Sequence, residues 1–346
     1  MPRVSAPSDI AQAHATKRLA ALATPPGALG RLGDLGVWIA TCQGHVPPHE
    51  ITNVRLVIFA GDHGVAGHGV SAFPSSITGA MVRTFLAGKA GVNALARAHD
   101  VNVRVLDLGV DEDFADLDAD LRAVVMAHKI RRGSGAIHLE DALTVAETRA
   151  ALEAGAAVAR EEIAAGAHLL LSGDMGIGNT TPAAALVAAG LGLSASDVAG
   201  RGTGIADEAL RHKTSVIQAA LDRVGSRVED PLETLAALGS ADLAATTGYL
   251  LAAAQDGIPV VLDGLMSVAC ALTADRIEPG AAAWFAAGHR STEPAQSLAL
   301  TRMGLEPLLD LEMRLGEGSG AVAAVPLVRS AVALLRDVAL LSELGI

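Results

Sequence analysis

Aromatic side chains are scarce in this sequence, whose 346 residues include only five Phe, two Trp and one Tyr. So few rings exclude the stacking surfaces with which proteins bind single-stranded nucleic acid. Positive charge is also in the minority, because 26 Lys and Arg face 38 Asp and Glu, for a net charge of −12. That balance opposes broad contact with a phosphate backbone. We therefore expect no nucleic-acid partner.

Cysteines and long apolar runs are equally sparse. Cys42 and Cys270 have no partner motif nearby, so they predict buried thiols in a reducing compartment rather than a disulfide framework. The first fifteen residues lack the charged-then-apolar pattern of a secretory signal. The membrane-span candidate at residues 183–193 is shorter than the ~20 residues that cross a bilayer. These features predict a cytoplasmic protein with no membrane partner.

Glycine is the residue in excess, with 37 copies gathered at the ends of apolar runs. We expect most of them to be ligand-facing backbone at strand ends. Apolar residues make up 51% of the chain and charged residues 18%, which excludes a disordered chain. At ~150 residues per domain, the length fits two domains or one large α/β unit.

A short apolar run, then a turn rich in Gly and Asp, then an Ala-rich stretch recurs along the chain. The runs occupy residues 54–60, 103–108, 168–171, 259–262, 281–287 and 308–315. Unbroken apolar runs of this length are typical of parallel strands buried on both faces. Residues 139–165 and 207–224 predict crossover helices between them. The pattern predicts a doubly wound, mainly parallel, Rossmann-like α/β sheet.

The two ends of the chain lack strand patterns. Residues 8–43 predict helices interrupted near Pro25, and residues 325–344 predict one terminal helix. We expect residues 1–48 with 325–346 to form a small helical subdomain, and residues 49–324 to form the large catalytic domain. The acidic stretch 111–120 predicts a solvated loop rather than a metal site.

Candidate ligand contacts follow from the strand ends, because open α/β sheets bind ligands beyond the carboxyl ends of their strands. Residues 172–182 include Asp174 and three glycines, which indicates either a ligand-contacting loop or a tight turn with a helix cap. The stretch lacks the Gly-Lys-Ser/Thr ending of a nucleoside-triphosphate site. Residues 201–204 with Lys213 fit either a phosphate site or a helix entry beside an exposed lysine.

Each of the other charged groups near strand ends allows two interpretations, one functional and one structural. Glu317 lies among glycines and is either a general base with a raised pKa or a solvated loop residue. Asp263 either binds ribose hydroxyls or caps a helix, and residues 289–291 either orient an anion or cap a helix. His63 and His68 lack further ligands at metal-site spacing, so His63 is predicted to be a hydrogen-bonded strand-end residue.

Taken together, these segments resemble one family, the nicotinate-nucleotide–dimethylbenzimidazole phosphoribosyltransferases of cobalamin nucleotide-loop assembly. The matching segments are residues 25–32, 60–65, 69–78, 173–181, 200–204, Lys213, 262–264, 288–291 and 315–320. A single match of this kind would be weak, but nine in order at family-like spacing are highly specific.

The resemblance implies transfer of the 5-phosphoribosyl group of nicotinate mononucleotide to 5,6-dimethylbenzimidazole, with inversion at the anomeric carbon. It implies that Glu317, in the Leu-Gly-Glu-Gly motif, is the general base, and that nearby carboxylates such as Asp174 stabilise charge on the ribosyl ring. It also implies a Rossmann-like homodimer. Since nicotinate leaves readily, no cofactor or metal is expected.

The substrate contacts that the resemblance implies are Ser75, Ala80, Met81, Asp174, Met175, Gly176, Gly202, Thr203, Gly204, Lys213, Asp263, Ser291, Leu315 and Gly318. Phosphate contacts are assigned to the loop at residues 202–204, Lys213 and Ser291. Because rings are scarce, we expect the acceptor base to lie between the aliphatic side chains of Met81, Met175 and Leu315.

The chain departs from the family pattern at three places. Asp174 stands where relatives usually carry Glu, which shortens the side chain by one methylene, and Ala80 stands where many carry Gln. Residues 293–296 lack the Gly-His that often follows Glu-Pro. The first departure weakens the charge-stabilising role given to Asp174, and Ala80 leaves the acceptor open to other benzimidazoles or purines. The alternatives are a diphosphate-dependent phosphoribosyltransferase, whose paired acidic residues before a Thr-Gly-rich loop do not occur here, and a non-catalytic nucleotide sensor.

Overall fold

The computed structural model describes residues 3–345, and a five-stranded sheet lies at the centre of this part of the chain. The strands are β1 (Val54–Gly61), β2 (Val101–Gly109), β3 (Leu169–Met175), β4 (Val260–Leu262) and β5 (Phe285–Ala287). All neighbouring strands run parallel, in the order β2-β1-β3-β4-β5. This is a common doubly wound order with its switch point between β1 and β3. The predicted α/β fold with a parallel sheet is confirmed.

Fourteen α-helices surround the sheet within the described residues. They are α1 (Asp9–Ala21), α2 (Gly30–Gln43), α3 (Ile77–Leu86), α4 (Gly91–Ala98), α5 (Ala119–Val125), α6 (Val145–Ala164), α7 (Thr180–Leu191), α8 (Ala195–Val198), α9 (Asp207–Val224), α10 (Pro231–Leu238), α11 (Ala241–Gln255), α12 (Leu265–Ile277), α13 (Pro294–Met303) and α14 (Ser319–Asp337). Short 3₁₀ turns lie at Gly64–His68, Gly225–Glu229, Ala281–Trp284 and Leu341–Leu344.

Strand β1 shows why the apolar runs are continuous. Val57 and Phe59 pack into a core with α6, α7, α11 and α12, whereas Leu56 and Ile58 pack into a second core with α2, α4 and α14. Successive side chains of a strand point to opposite faces of the sheet. Since both faces are covered by helices, both sets of positions must be apolar.

Several glycines serve packing between helices rather than ligand contact. A Cβ on Gly155 of α6 would lie 1.7 Å from the carbonyl oxygen of Ala245 on α11. A Cβ on Gly248 of α11 would lie 2.0 Å from the carbonyl oxygen of Leu152. The two backbones therefore touch where they cross, which no larger residue permits. The expectation that glycine mostly faces ligand is wrong for this pair.

The structure corrects four predicted boundaries. Residues 308–315 form no strand, because Leu309 makes only an isolated bridge to His289 and the polar residues that interrupt the run leave Leu311 62% exposed. Strand β3 continues through Met175, so Asp174 lies on the strand rather than in a loop. Helix α6 begins at Val145 behind a Thr144 cap, after residue 139, and α14 begins at Ser319, before residue 325.

Helices α1 and α2 pack against α14. A Cβ on Gly36 of α2 would lie 2.8 Å from the carbonyl oxygen of Ala331 on α14, and Ala40 and Leu335 share a small core. Helix α14 also packs on the sheet, so it crosses the predicted boundary at residue 325. The division into two domains stays a prediction. Although α14 is long and apolar enough to span a membrane, more than half of it is buried in the fold.

Within residues 3–345 the structure confirms that both cysteines are buried and that most of the acidic stretch is exposed to solvent. Cys42 and Cys270 are buried free thiols, and burial raises the pKa of both. The stretch at residues 111–120 is largely exposed, and Arg83 pairs there with the carboxylates of Glu112 and Asp116.

Candidate active site

A cavity of about 640 Å³ lies at the carboxyl end of the sheet. Asp174 and Met175 end β3, Gly264 follows β4, and His289 follows β5, and all four line this cavity. The other lining residues are Phe73, Ile77, Met81, Gly176, Ile177, Asn179, Thr180, Gly202, Thr203, Leu265, Met266, Ser291, Glu293, Arg314, Leu315, Gly316 and Glu317. Open α/β sheets bind their ligands at this edge.

The cavity brings most of the predicted site residues together. Those that line it are Met81, Asp174, Met175, Gly176, Gly202, Thr203, Ser291, Leu315 and Glu317. Those that do not line it are Ser75, Ala80, Gly204, Lys213, Asp263 and Gly318. Ser75 and Ala80 are exposed around the start of α3, and Gly204 lines a second cavity of about 490 Å³. The substrate contacts of all these residues, lining or not, stay predictions.

Glu317 is held in an unusual backbone conformation. Its φ is +65°, between φ values of +75° at Gly316 and +89° at Gly318. The side chain is 6% exposed, and its Oε2 accepts a hydrogen bond of 3.0 Å from the backbone N–H of Val92, at the start of α4. Burial raises the pKa of Glu317, the Val92 N–H opposes this effect, and the charge of Asp263 adds to it. The interpretation as a solvated loop residue is excluded.

Asp263 fixes the loop that carries Glu317. Its Oδ2 accepts from the N–H of Gly318 at 3.0 Å, and its Oδ1 accepts from Gly320 at 2.7 Å and Ala321 at 3.1 Å. Despite burial, the neighbouring His289 and these N–H groups lower the pKa of Asp263. The carboxylate therefore caps the first turn of α14. This agrees with the interpretation of Asp263 as a helix cap. The ribose contact predicted for Asp263 finds no support in this arrangement.

Asp174 sits at the switch point, where it pairs with Phe59 of β1 in the parallel register. Its Oδ1 accepts a hydrogen bond of 2.5 Å from Asn179, at the entry to α7. Asp242, on α11, is buried beside it, and His63, after β1, is buried next to Asp242. Sequence reasoning missed Asp242, although a lone carboxylate in the Ala-rich stretch 241–254 was a usable signal.

Comparisons with known proteins identify the family. A family model described as Phosphoribosyltransferase matches residues 4–346. The chain belongs to this family. The nicotinate-nucleotide–dimethylbenzimidazole phosphoribosyltransferase of Mycolicibacterium paratuberculosis is 51% identical over 99% of this chain and 97% of that protein. The Mycobacterium tuberculosis protein of the same name is 50% identical over 99% and 93%. The crystal structure of CobT from Thermus thermophilus superposes with a TM-score of 0.91, at 43% identity over 97% of this chain and 99% of that one.

The structure excludes the interpretation of Lys213 of this phosphoribosyltransferase as an exposed lysine beside a helix entry. Lys213 is fully buried, and its Nζ donates to Thr180 Oγ1 at 2.8 Å and to the Gly200 carbonyl at 2.9 Å. Burial lowers the pKa of Lys213, and the charge of Glu293 opposes this effect. Lys213 therefore braces the loop at residues 200–204 from behind the cavity.

Glu293 and Arg314 are two cavity residues of the phosphoribosyltransferase that sequence reasoning missed. Glu293 is 6% exposed, and its Oε1 accepts a hydrogen bond of 2.7 Å from the N–H of Gly202, a group predicted to bind phosphate. Arg314 is exposed and lines both cavities. Within residues 3–345 its guanidinium has no ion-pair partner. Its position two residues before the Gly-Glu-Gly turn was the available signal.

Proposed function

We propose that this phosphoribosyltransferase transfers the 5-phosphoribosyl group of nicotinate mononucleotide to 5,6-dimethylbenzimidazole, giving α-ribazole 5′-phosphate and nicotinate. The observation that carries the proposal is the buried Glu317 carboxylate on the cavity wall, fixed by the Val92 N–H at 3.0 Å. A positioned carboxylate with a raised pKa is suited to general-base catalysis near neutral pH.

In the proposed reaction, Glu317 takes the N–H proton of the azole while the other ring nitrogen attacks C1 of the ribose. The bond from C1 to the pyridinium nitrogen breaks, and its electron pair stays on nicotinate. Attack from the face opposite nicotinate inverts the anomeric carbon, so the product is the α form. The proton on Glu317 then passes to water, which restores the base. The residues of this site supply orientation and proton transfer.

The acceptor half of the cavity is proposed to lie among Met81, Met175 and Leu315, which all line it. Phe73 adds one phenyl ring to the same wall and is 51% exposed. Thioether and aliphatic side chains adapt to an aromatic base without demanding one stacking geometry. This lining supports benzimidazole as the acceptor class.

The donor phosphate is proposed to bind among Thr203, Ser291 and Arg314. All three line the cavity, and the Arg314 guanidinium is available to an anion. Arginine suits this role because its planar fork matches a phosphate bidentately. Lys213 supports the same loop without reaching the cavity wall.

An assay with nicotinate mononucleotide and a panel of azoles and purines, with products separated by mass, tests donor and acceptor together. The expected result is a ribazole phosphate from 5,6-dimethylbenzimidazole. Activity with phosphoribosyl diphosphate and magnesium, without activity on nicotinate mononucleotide, would favour a diphosphate-dependent enzyme. Donor binding without any transfer would favour a nucleotide sensor. A homodimer and a cytoplasmic location remain part of the proposal, which sedimentation and cell fractionation test.

A further inference from the structure

Three titratable side chains that the reaction above does not use as a base are packed together at the switch point of the sheet. Asp174 is 6% exposed, Asp242 0% and His63 3%. His63 Nε2 lies 3.4 Å from Asp242 Oδ2. Asp174 Oδ2, both carboxylate oxygens of Asp242 and both ring nitrogens of His63 are buried without an ordinary hydrogen-bond partner among residues 3–345.

The backbone is shaped around this cluster. A Cβ on Gly61 would lie 2.4 Å from Asp242 Oδ1, and a Cβ on Gly176 would lie 2.5 Å from His63 Nε2. Both glycines close the strand ends that meet at the switch point. Only glycine leaves room for the carboxylate and the imidazole at these two places. The contact between Asp242 and His63 is therefore built into two strand ends.

Two carboxyl groups side by side in a buried space cannot both ionise, because each charge loses hydration and repels the other. Across the described residues, no Lys or Arg side chain donates to either one. Burial and the charge of Asp242 raise the pKa of Asp174 well above its usual range. Although Asp242 is also buried, the neighbouring His63 and the adjacent carboxyl group of Asp174 lower its pKa. The proton of the pair therefore stays with Asp174.

We propose that Asp242 and His63 are positioning residues that hold Asp174 on the cavity wall as a neutral carboxyl group, whose proton is shared with Asp242. The proposal rests on the proposed function for its catalytic consequence, since Asp174 lines the same cavity as Glu317. It replaces the expectation that Asp174 stabilises the ribosyl ring by negative charge. Asp174 instead contacts the donor as an oriented, uncharged group, and the negative charge of the pair lies behind the wall on Asp242.

The neutral state has a consequence for the base. A second anion on the cavity wall would raise the pKa of Glu317 further, so that a smaller fraction of Glu317 would be ionised and able to accept a proton at neutral pH. It would also repel the phosphate and the carboxylate of nicotinate mononucleotide. Because Asp242 keeps the charge out of the cavity, Asp174 holds its orientation without either penalty.

Infrared difference spectroscopy of the full-length protein at neutral pH, without substrate, tests the protonation directly. Subtracting the spectrum of Asp174→Asn from that of the wild type cancels the bands of Asp62, Asp263 and Cys270. These three groups also lie close enough to interact electrostatically with Asp174 or Asp242. The expected difference is a protonated-carboxyl band that shifts in D₂O. The matched control is Asp107→Asn, which removes a buried Asp paired with Lys129 at 2.7 Å and should show carboxylate bands. Carboxylate bands for Asp174 would overturn the proposal.

The dependence on the two partners is tested by substitution. In Asp242→Asn a neutral amide replaces the anion beside Asp174, so the carboxyl band should be lost at lower pH than in the wild type. An unchanged pH would show that burial alone keeps Asp174 neutral and would overturn the positioning role. In His63→Leu the pair loses the imidazole that lies 3.4 Å from Asp242, so the anion on Asp242 is less stabilised and the band should be lost at higher pH than in the wild type. His63→Gln restores a donor and should restore the wild-type pH. An unchanged pH in His63→Leu would overturn the role of His63.

Kinetics separate this proposal from the proposed function. Asp242→Asn should lower kcat by about 100-fold, the scale of a misplaced contact group, with the KM for the acceptor unchanged. Asp242→Glu should recover part of the loss. A merely structural role would lower stability and both kinetic constants without shifting the pH at which the band is lost. If the wild type lacks transferase activity but shows the band pattern, the proposed function fails while the shared proton stands.

Discussion

The backbone N–H of Val92 donates a hydrogen bond of 3.0 Å to Glu317 Oε2, between residues 225 positions apart in the chain. Val92 lies in the first turn of α4, where N–H groups have no partner within the helix and the helix dipole favours negative charge. A Cβ on Gly91 would lie 2.9 Å from Leu315 Cδ2, so the helix end and the Glu317 loop pack closely. This contact fixes the carboxylate that the proposed reaction needs.

Replacing Glu317 should abolish base transfer without abolishing donor binding. Glu317→Gln keeps an acceptor for the Val92 N–H but cannot take a proton, so we expect kcat to fall by about 10²–10⁴-fold. Glu317→Ala should lose at least as much. Product analysis by mass measures turnover, and calorimetry with nicotinate mononucleotide measures binding. Turnover like that of the wild type in either variant would contradict the general-base role.

The activity should depend on pH through Glu317. Burial raises the pKa of this carboxyl above its ordinary value of 4.5, and only the ionised form accepts a proton. As the pH falls through the raised pKa, Glu317 becomes protonated and kcat/KM for the acceptor should decline. A pH–rate profile should therefore show an acid limb centred above 4.5. A limb at or below that pH would mean that another group limits the reaction.

Shortening Met175 should weaken binding of the acceptor and leave binding of the donor unchanged. Met175→Ala removes apolar surface from the proposed acceptor wall, a loss of about 1 kcal/mol, or about fivefold in the acceptor KM. The KM for nicotinate mononucleotide should change little. Initial rates with each substrate varied in turn measure the split. An equal rise in both KM values would contradict the assignment of this wall to the acceptor.

Removing the charge of Arg314 should weaken donor binding. Arg314→Gln loses a charge-assisted contact with the phosphate, so the KM for nicotinate mononucleotide should rise by about tenfold or more. Arg290→Gln is the matched control, because Arg290 pairs with Asp310 and does not line the cavity. The acceptor KM should stay unchanged in both variants. A similar donor KM in wild type and Arg314→Gln would place the phosphate elsewhere.

Filling the helix crossing should destabilise the fold. Gly155→Ala puts a Cβ 1.7 Å from the Ala245 carbonyl oxygen, so α6 and α11 must separate, at a free-energy cost of about 3 kcal/mol. Gly67→Ala is the control, because a Cβ there meets nothing within 4 Å. Denaturant titration of both variants measures the free energy of unfolding. Equal stabilities would mean that the crossing relaxes without loss.

Local patterns were enough to predict most of the sheet and one crossover helix. Residues 54–60 and 103–108 lie within observed strands, and residues 207–224 match α9 at both ends. These elements are readable because their burial on both faces, or on one helical stripe, imposes a regular apolar pattern. Residues 308–315 misled the same reasoning, since an apolar majority does not show that Leu311 is exposed.

The sequence by itself determined the strand-end glycines, the Leu-Gly-Glu-Gly turn and the buried apolar runs, because each depends on neighbours a few residues away. Tertiary structure alone decided that Asp263 caps the Glu317 loop, that Glu293 accepts from the Gly202 N–H, and that Asp242 lies between Asp174 and His63. These partners lie on different elements, and the strand order brings them to one edge. A hydrogen bond or shared proton depends on distance in space, which local sequence patterns do not encode.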